Sequence, residues 1–283
     1  MFDTTALLFH RTRYTLTCAR ANVVNWRDRL FDPQAAAFFE TMAECGYNPN
    51  AHIDVLPRHG LLYISVPKCA STTIKGALSV LDHGVAPPPE RLHARRYSGL
   101  YSPLRVGLST FRQLALSPST LRFSFVRNPY ARLVSAWADK FQDKPLVAGN
   151  SFVEAYLELR PTIDRTLPHG HGHTLSFAQF VTFAVTTADS RLDAHWQMQD
   201  DLVSMPGINV NFVGKVEAFP QDFKRVLDHV GADENVRAAI RARHNASRHE
   251  PWRDYYTDTL AKQVYRAYRR DFDRFGYSRS IAA

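Results

Sequence analysis

Residues 61–75 read Leu-Leu-Tyr-Ile-Ser-Val-Pro-Lys-Cys-Ala-Ser-Thr-Thr-Ile-Lys, and this stretch decides the fold. Its first half is a short apolar run with the length and composition of a buried β-strand. Pro67 ends that strand, because proline has no N–H group to give to a neighbouring strand. Lys68 comes next, and small and hydroxyl-bearing residues then stand where a helix should begin. The pattern predicts a strand, a turn and a helix.

The turn after this strand has the features of an anion-binding site. The first N–H groups of a helix have no partner within the helix, and the helix dipole adds about half a positive charge at that end. Lys68 adds a full charge, and the hydroxyls of Ser71, Thr72 and Thr73 add further donors. We interpret the segment as a phosphate or sulfate site. The alternative is an ordinary strand and turn with a Ser/Thr helix cap.

A second segment repeats this arrangement. Residues 121–137 read Leu-Arg-Phe-Ser-Phe-Val-Arg-Asn-Pro-Tyr-Ala-Arg-Leu-Val-Ser-Ala-Trp. We expect a strand over 121–126 and a helix that opens at Pro129, with Ser135 about two turns from Arg127. A guanidinium at a strand end suits bidentate phosphate recognition. Since ligands of open α/β sheets bind at the carboxyl ends of the strands, both segments point to one ligand region.

Together the two segments resemble the sulfotransferases that use 3′-phosphoadenosine 5′-phosphosulfate (PAPS), and most closely the carbohydrate sulfotransferases of the chondroitin 4-O, HNK-1 and heparan 2-O type. The motifs stand here as Val66-Pro67-Lys68-Cys69-Ala70-Ser71-Thr72-Thr73 and Val126-Arg127-Asn128-Pro129-Tyr130-Ala131-Arg132-Leu133-Val134-Ser135-Ala136. The resemblance implies that Arg127 and Ser135 bind the 3′-phosphate. It implies that the 5′-phosphosulfate is held by Lys68, Cys69, Ala70, Ser71, Thr72 and Thr73.

The resemblance continues downstream and covers about residues 60–277. Residues 193–199, Asp-Ala-His-Trp-Gln-Met-Gln, are similar to the family's Asp-x-His-Trp-x-x-Gln segment, and residues 212–217 are similar to its late strand. The Phe-Gly-Tyr at 275–277 matches the family's ending. Residues 1–55 carry no part of it and are interpreted as an N-terminal extension of unknown role.

The length of the chain and the alternation of strands and helices predict one α/β domain over residues 1–283. A chain of 283 residues with 45% hydrophobic composition can bury one large core. Alternating strands and helices predict a parallel sheet with helices on both faces. The family resemblance implies the P-loop-like, three-layer α/β/α version of that class. The expected helices are 72–81, 109–116, 177–185, 220–229, 234–243 and 257–275.

The net charge of +8 indicates anionic partners, and PAPS is itself highly anionic. Nucleic acid is the competing partner class. The basic residues of this chain are scattered, however, and the sequence has neither zinc-finger spacing nor an RNP-type aromatic signature. We therefore expect no nucleic-acid binding.

Cysteine usage and the N-terminal sequence favour a soluble cytoplasmic enzyme. The three cysteines have no framework spacing, so a disulfide scaffold is not expected. Arg11, Arg13 and Arg20 interrupt the apolar residues that a signal peptide would need, and no run reaches the length of a membrane span. Eukaryotic members of the resembling family typically carry an N-terminal anchor. Because this sequence shows no such apolar span, we expect a bacterial source. A trimmed luminal domain would look similar.

Three residues are the candidate catalytic groups. Lys68 is expected to stabilise the leaving phosphate, because the turn would hold it beside the phosphosulfate. A histidine is the natural base near neutral pH, and His93 is preferred since it lies between the two cofactor segments. Neighbouring Arg91, Arg95 and Arg96 should disfavour a protonated His93 imidazole. His195 is the second candidate, with Asp193 available to orient it.

A metal site is not expected. His169, His171 and His173 alternate with glycines, a pattern that resembles a metal-binding tract. The glycines favour a flexible loop instead, and the resembling family transfers sulfuryl groups from PAPS without a metal.

We therefore predict sulfuryl transfer from PAPS to a hydroxyl of a carbohydrate or glycosylated acceptor, with anionic and lipid-linked acceptors included. One alternative is a nucleotide-dependent phosphotransferase, although the Gly-x-x-x-x-Gly-Lys-Ser/Thr loop is missing from the sequence. The other is a non-catalytic nucleotide- or glycan-binding module of the same fold. The sequence assigns neither the acceptor hydroxyl nor an oligomeric state.

Overall fold

The computed structural model of the chain describes residues 23–146, 153–154, 156–158, 172–188, 193–241 and 251–282. Residues 1–22 of the predicted N-terminal extension, as well as His169 and His171, lie outside these residues. The described residues form two compact units. The first contains the residues before 67, residues 70–125 and those from 203 to 241, and the second contains residues 67–69, those from 126 to 202, and those from 251 onward. The single domain over 1–283 stays a prediction.

A four-stranded sheet runs through the described residues. The strands are β1 (Ile53–Leu56), β2 (Leu61–Ile64), β3 (Leu121–Val126) and β4 (Phe212–Lys215), and they lie side by side in that order. β2 and β3 are parallel, with Leu61 opposite Leu121. β1 pairs antiparallel with β2. The prediction of an α/β fold with a central parallel sheet is confirmed, and the antiparallel edge strand β1 is an addition to it.

β1 is antiparallel because only a short turn joins it to β2. A 3₁₀ turn over Pro57–His59 is followed by Gly60, which has φ +57°, and β2 begins at the next residue. So short a connection can only reverse the chain, whereas a parallel pair needs a crossover of a dozen or more residues.

Helices cover both faces of the sheet within the first unit. Leu62 and Ile64 of β2 pack in one apolar cluster with Phe39 and Phe111, which belong to the helices Pro33–Glu44 and Leu108–Leu116. Phe125 of β3 points to the other face. Its ring lies 5.2 Å from that of Phe219 and 5.9 Å from that of Phe223, both in the helix Phe219–His229. The first unit therefore has the three predicted layers.

The remaining helices of the first unit are shorter or follow the sheet strands. Residues 23–31 are helical, and Ser71–His83 begins just after β2. The others are Pro49–His52, Arg95–Ser98, Pro103–Val106 and Glu234–Arg241, with 3₁₀ turns at Pro89–Arg91 and Val216–Ala218.

The second unit is built around an aromatic core. Tyr130 lies at its centre, with its ring 4.8 Å from Phe272 and 5.0 Å from Tyr256. Trp137 donates its indole N–H to the Leu175 carbonyl at 2.7 Å. The helices of this unit are Pro129–Lys140, Phe177–Thr186, Gln199–Val203, Asp258–Ala267 and Arg269–Phe275, with helical residues at 153–154 and 156–158 and a 3₁₀ turn at Trp252–Tyr255.

The continuous helix predicted over 257–275 is wrong, because the chain forms two helices that meet at Tyr268. Tyr268 has φ −102° and ψ 22°, outside the helical range. Its hydroxyl donates to the Trp196 carbonyl at 2.5 Å and lies 3.3 Å from the Ala184 carbonyl. These buried contacts fix the side chain deep in the core and accompany the break in the helix.

Candidate functional site

The turn after β2 has an unusual backbone. Lys68 and Ala70 have φ of +67° and +58°, in the left-handed region that favours glycine. A non-glycine residue in this backbone conformation destabilises the fold by on the order of 1–3 kcal/mol. It persists only where the surrounding structure holds it, often at ligand sites. The helix Ser71–His83 begins immediately after Ala70. The predicted strand, turn and helix are therefore present, and the turn is strained.

Three side chains of the second unit hold this turn. Arg132 donates to the Pro67 carbonyl at 3.1 Å, and Arg127 donates to the Lys68 carbonyl at 3.4 Å. The Cys69 thiol lies 3.2 Å from the side-chain oxygen of Gln199. Each residue from 67 to 69 is thus fixed by a different partner.

Arg132 is a buried structural residue. Its side chain is 1% exposed, and besides Pro67 it donates to the carbonyls of Gln197 and Ala194, each at 2.6 Å. These bonds satisfy the guanidinium without a ligand. They tie the helix Pro129–Lys140 to the segment that carries residues 193–199.

Gln199 connects the turn to the end of β3. Its side chain is fully buried, and its oxygen accepts from the Arg127 backbone N–H at 2.8 Å while its nitrogen donates to the Arg127 carbonyl at 2.8 Å. Asp271 is also fully buried and accepts from the backbone N–H groups of Gln199 and Asp200. Burial raises the pKa of Asp271, although these donors and Arg132 oppose that rise.

The Lys68 ammonium is paired with a carboxylate. Its Nζ lies 3.2 Å from Asp139 Oδ2, and its side chain is mostly buried. Burial lowers the pKa of Lys68, Asp139 raises it, and Lys140 and Arg127 lower it further, so that the pKa lies below its usual value. Burial alone would raise the pKa of Asp139, but Lys68 and Lys140 outweigh it and the pKa lies below the usual range.

Arg127 and Ser135 both lie in the second unit, on the segment that the sequence singled out. Arg127 is partly exposed at the end of β3. Ser135 follows on the helix Pro129–Lys140 and is 1% exposed, so it faces the inside of the unit. The roles assigned to them by resemblance stay predictions.

In the first unit, His93 contacts the helix start that follows the turn. His93 Nε2 lies 3.0 Å from Thr72 Oγ1 in the first turn of the helix Ser71–His83. The imidazole is otherwise exposed to solvent. Ser71 is buried and Thr73 is half-buried on the same turn. The structure thus brings together two predicted site residues that are 21 positions apart.

A buried carboxylate anchors the segment that carries His93. Asp54 of β1 lies 3.0 Å from the Arg95 guanidinium and 3.3 Å from Lys75 Nζ. Arg95 is two residues after His93, and Lys75 is one turn after Thr72. Asp54 therefore fixes both sides of the Thr72–His93 contact. Arg95 and Lys75 share this one carboxylate, and the expected effect of the arginines on His93 stays a prediction.

His195 is oriented by Asp193 in the second unit. Asp193 Oδ1 lies 2.7 Å from His195 Nδ1 and also accepts from the His195 backbone N–H at 2.7 Å. Both side chains are partly exposed. Such a pair fixes the orientation of the imidazole. The predicted partnership of these two residues is present, while a catalytic role stays a prediction.

Sequence reasoning gave no role to Gln199, Asp139 or Asp54. Gln199 lies in the quoted Asp-x-His-Trp-x-x-Gln segment, where a buried amide could have been suspected. Asp139 lies four residues after Ser135, so the two share one helix face. Asp54 gave no signal, since its partners are distant in sequence.

Two features are absent from the described residues, a metal-binding cluster and a membrane-spanning helix. No cluster of three or more histidine, cysteine or acidic side chains that could hold a metal occurs in these ranges. None of the helices in the described part of the chain is long and apolar enough to cross a bilayer.

Comparison with known proteins identifies the family. The model of the sulfotransferase family matches residues 51–278, starting before the predicted boundary near residue 60. Carbohydrate sulfotransferase 11 of Mus musculus is 26% identical, over 97% of this chain and 77% of the relative. Carbohydrate sulfotransferase 12 of Mus musculus is 28% identical over 80% and 60%, and carbohydrate sulfotransferase 14 of Danio rerio is 28% identical over 80% and 62%. No solved structure matches the chain. A family match over most of its length shows that the chain belongs to the sulfotransferase family.

Proposed function

We propose that the protein transfers a sulfuryl group from PAPS to a hydroxyl of a carbohydrate or glycosylated acceptor. Membership of the sulfotransferase family supports the reaction and implies the PAPS donor. The acceptor class rests on the relatives, which are carbohydrate sulfotransferases.

One structural observation carries the proposal: the turn of Lys68 and the strand end of Arg127 form a single bonded network. Arg127 donates to the Lys68 carbonyl, and Gln199 contacts both Cys69 and the Arg127 backbone. The two residues that the resemblance assigns to opposite ends of the donor are therefore fixed relative to each other within the second unit.

The residues present fit a highly anionic nucleotide. Lys68 and Arg127 supply an ammonium and a guanidinium, and the latter is only partly buried. Arg127 presents the planar donors that suit a phosphate. The first N–H groups of the helix Ser71–His83 have no partner within the helix and can add further donors. Asp139 is the carboxylate that contacts Lys68, and it stays accessible to solvent. We therefore assign the 5′-phosphosulfate to Lys68 and residues 69–73, and the 3′-phosphate to Arg127 and Ser135.

Bound PAPS supplies the sulfuryl group and leaves as adenosine 3′,5′-bisphosphate when the acceptor oxygen forms a bond to sulfur and the sulfur–phosphate oxygen bond breaks. Lys68 places its positive charge where the leaving phosphate gains negative charge. His93 accepts the proton of the acceptor hydroxyl on its imidazole, which the Thr72 contact and the Asp54–Arg95 ion pair hold in position. The remaining contribution is positioning, as in phosphoryl transfer.

His195 is the second candidate for the base. The 2.7 Å contact between His195 Nδ1 and Asp193 Oδ1 fixes the orientation of the ring. Its partial exposure leaves room for an acceptor hydroxyl. We assign the role first to His93, because His93 contacts a residue of the donor segment itself.

The finer predictions on origin, location and partners are retained as part of this proposal. A soluble cytoplasmic enzyme of bacterial source was expected, but the relatives named above come from animals and lend no support to a bacterial source. Absence of a metal requirement and of nucleic-acid binding also remain expectations.

Calorimetry of the purified protein tests the proposal. Adenosine 3′,5′-bisphosphate should bind, and ATP, which lacks a 3′-phosphate, should bind much more weakly. Incubation with PAPS and a panel of oligosaccharides should then give an acceptor with one added sulfate by mass spectrometry. Preferential binding of ATP with phosphate transfer would favour a phosphotransferase. Binding of adenosine 3′,5′-bisphosphate without sulfate transfer to any acceptor would favour a non-catalytic module.

A further inference from the structure

A salt bridge outside the assigned nucleotide contacts involves the main charged group of the site. Asp139 Oδ2 lies 3.2 Å from Lys68 Nζ and 3.1 Å from Lys140 Nζ. Asp139 is at the end of the helix Pro129–Lys140, one turn beyond Ser135. Nothing in the proposed transfer uses this carboxylate, although it contacts the lysine that the transfer depends on.

The two members of this pair differ in their access to solvent. The Lys68 side chain is 15% exposed, and that of Asp139 is 42% exposed. A carboxylate that is nearly half exposed can exchange a protein partner for water at low cost, whereas a mostly buried ammonium needs an anionic partner. When an anionic ligand approaches Lys68, the carboxylate is therefore the group that can withdraw.

A second cation is positioned to receive that carboxylate. Lys140 contacts the same oxygen of Asp139 and would keep it paired after Lys68 has turned to a ligand. Around Lys68, the charged groups that face it are Asp139, Lys140 and Arg127, one anion and two cations. Without Asp139, Lys68 would face only like charges until an anion arrived.

We propose that Asp139 is a positioning residue that serves as the exchangeable counter-ion of Lys68. In the enzyme without nucleotide, Asp139 keeps the ammonium charged and fixed in the turn. When the donor binds, Lys68 exchanges Asp139 for the donor phosphate, and it pairs with Asp139 again as the product leaves. Asp139 therefore competes with adenosine 3′,5′-bisphosphate for Lys68 and speeds the release of this product. This inference rests on the proposed function, since it assumes that Lys68 binds the phosphate of the donor.

Calorimetry with adenosine 3′,5′-bisphosphate at pH 6.5 tests the competition. Asp139→Asn should bind the nucleotide about fivefold more tightly than wild type, a size suited to a half-exposed ion pair. Asp139→Ser removes the same charge and should act alike, while Asp139→Glu keeps the charge and should bind like wild type. Asp143→Asn is the matched control, because Asp143 is exposed in the same unit and asparagine tolerates its φ of +53°. It should change the affinity less than twofold.

The pH dependence of nucleotide affinity distinguishes the counter-ion role from a purely structural role, which would not change it. Loss of the carboxylate lowers the pKa of Lys68, since Lys140 and Arg127 remain as the facing charges. The alkaline loss of nucleotide affinity should therefore begin at a lower pH in Asp139→Asn than in wild type or Asp143→Asn.

The outcomes separate the two proposals. Failure of the wild-type protein to bind adenosine 3′,5′-bisphosphate would contradict the proposed function. Binding by wild type, together with equal or weaker binding by folded Asp139→Asn and Asp139→Ser at pH 6.5, would overturn the counter-ion role alone. Thermal melting of each variant establishes that it is folded.

Discussion

Gln199 bonds to both backbone groups of Arg127, accepting from its N–H and donating to its carbonyl, each at 2.8 Å. This is the pairing that a neighbouring β-strand would provide, but a side chain provides it at the end of β3. The same oxygen lies 3.2 Å from the Cys69 thiol. The buried amide therefore continues the sheet's hydrogen bonding into the site and connects it to the turn of Lys68.

Replacement of Gln199 by leucine should destabilise the protein and weaken nucleotide binding. The change keeps the size of the side chain but removes the partner of the partly buried Arg127 N–H and carbonyl, which should lower the free energy of unfolding by on the order of 3 kcal/mol. Urea denaturation measures the first effect and calorimetry the second. Gln263→Leu, at an exposed position of the same unit, should stay within about 0.5 kcal/mol of wild type. An equal loss in both variants would contradict the role of the amide.

Replacement of Arg127 by alanine tests the 3′-phosphate assignment. The guanidinium should provide charge-assisted hydrogen bonds, so the variant should bind adenosine 3′,5′-bisphosphate more weakly by about 1.5–3 kcal/mol. Binding of adenosine 5′-phosphosulfate, which lacks the 3′-phosphate, should change little. Arg269→Ala removes an exposed arginine of the same unit and should leave both affinities unchanged. Equal losses of affinity for the two ligands in Arg127→Ala would contradict the 3′-phosphate assignment. The role of Arg127 would then be limited to its hydrogen bond to the Lys68 carbonyl.

The sequence predicted the parts of the fold whose signals are local. The strand over 121–126 and the helices near 109–116, 177–185 and 220–229 were found within one residue of their predicted ends, because each has a clear apolar pattern. Two of the helices also have a start signal, the Ser176 cap before Phe177 and Pro220 in the first turn of Phe219–His229. β1 was not predicted, since four residues that include the buried Asp54 and precede Pro57 have no strand signature. Its place depends on pairing with β2 and on the ion pairs to Lys75 and Arg95.

Individual residues of the candidate site could be predicted from the sequence, but the contacts between them could not. Lys68, Arg127 and His93 could be singled out from motif and position, whereas Asp139 as the partner of Lys68 required the geometry of the helix that carries it. The break at Tyr268 has the same origin, because a hydroxyl that bonds to Trp196, 72 positions away, leaves no periodic signal. Long-range polar contacts of this kind are set by tertiary packing.

Replacement of Lys68 by alanine should lower kcat by on the order of 10²–10³, the cost of losing a group that stabilises charge on the leaving oxygen. Single-turnover assays with PAPS separate this effect from nucleotide release. Lys262→Ala, at an exposed position of the same unit, should retain the wild-type rate. A Lys68→Ala enzyme with wild-type kcat would exclude the residue from the reaction.

The rate should also depend on the charge of Lys68. Burial lowers the pKa of this ammonium below its usual value, and the charged form is the one that stabilises the leaving group. The rate should therefore be full at neutral pH and fall as the pH rises through the lowered pKa, before an ordinary exposed lysine would lose its proton. A pH profile of kcat/KM for PAPS measures this, because kcat/KM reports the pKa values of the enzyme without substrate, and a flat alkaline limb up to the usual lysine range would contradict it.

Replacement of His93 by alanine should lower kcat by about 10²–10⁴, the range for loss of a general base, while adenosine 3′,5′-bisphosphate binds as in wild type. The argument rests on the 3.0 Å contact with Thr72, which places the imidazole at the start of the helix that follows the turn. Thr72→Val removes that contact and keeps the side-chain shape. It should lower kcat less than His93→Ala, because the imidazole remains on a segment anchored through Arg95 to Asp54.

The comparison that decides the base is between His93, His195 and an unrelated histidine. His229→Ala changes an exposed residue of the first unit and should leave kcat unchanged. His195→Ala should reduce kcat less than His93→Ala if His93 is the base, because the Asp193–His195 pair would then act only on the shape of its own segment. The reverse order, with an active His93→Ala enzyme and an inactive His195→Ala enzyme, would transfer the role to His195. In that case the oriented imidazole of the Asp193 pair would be the proton acceptor, and the Thr72–His93 contact would serve only to close the start of the helix.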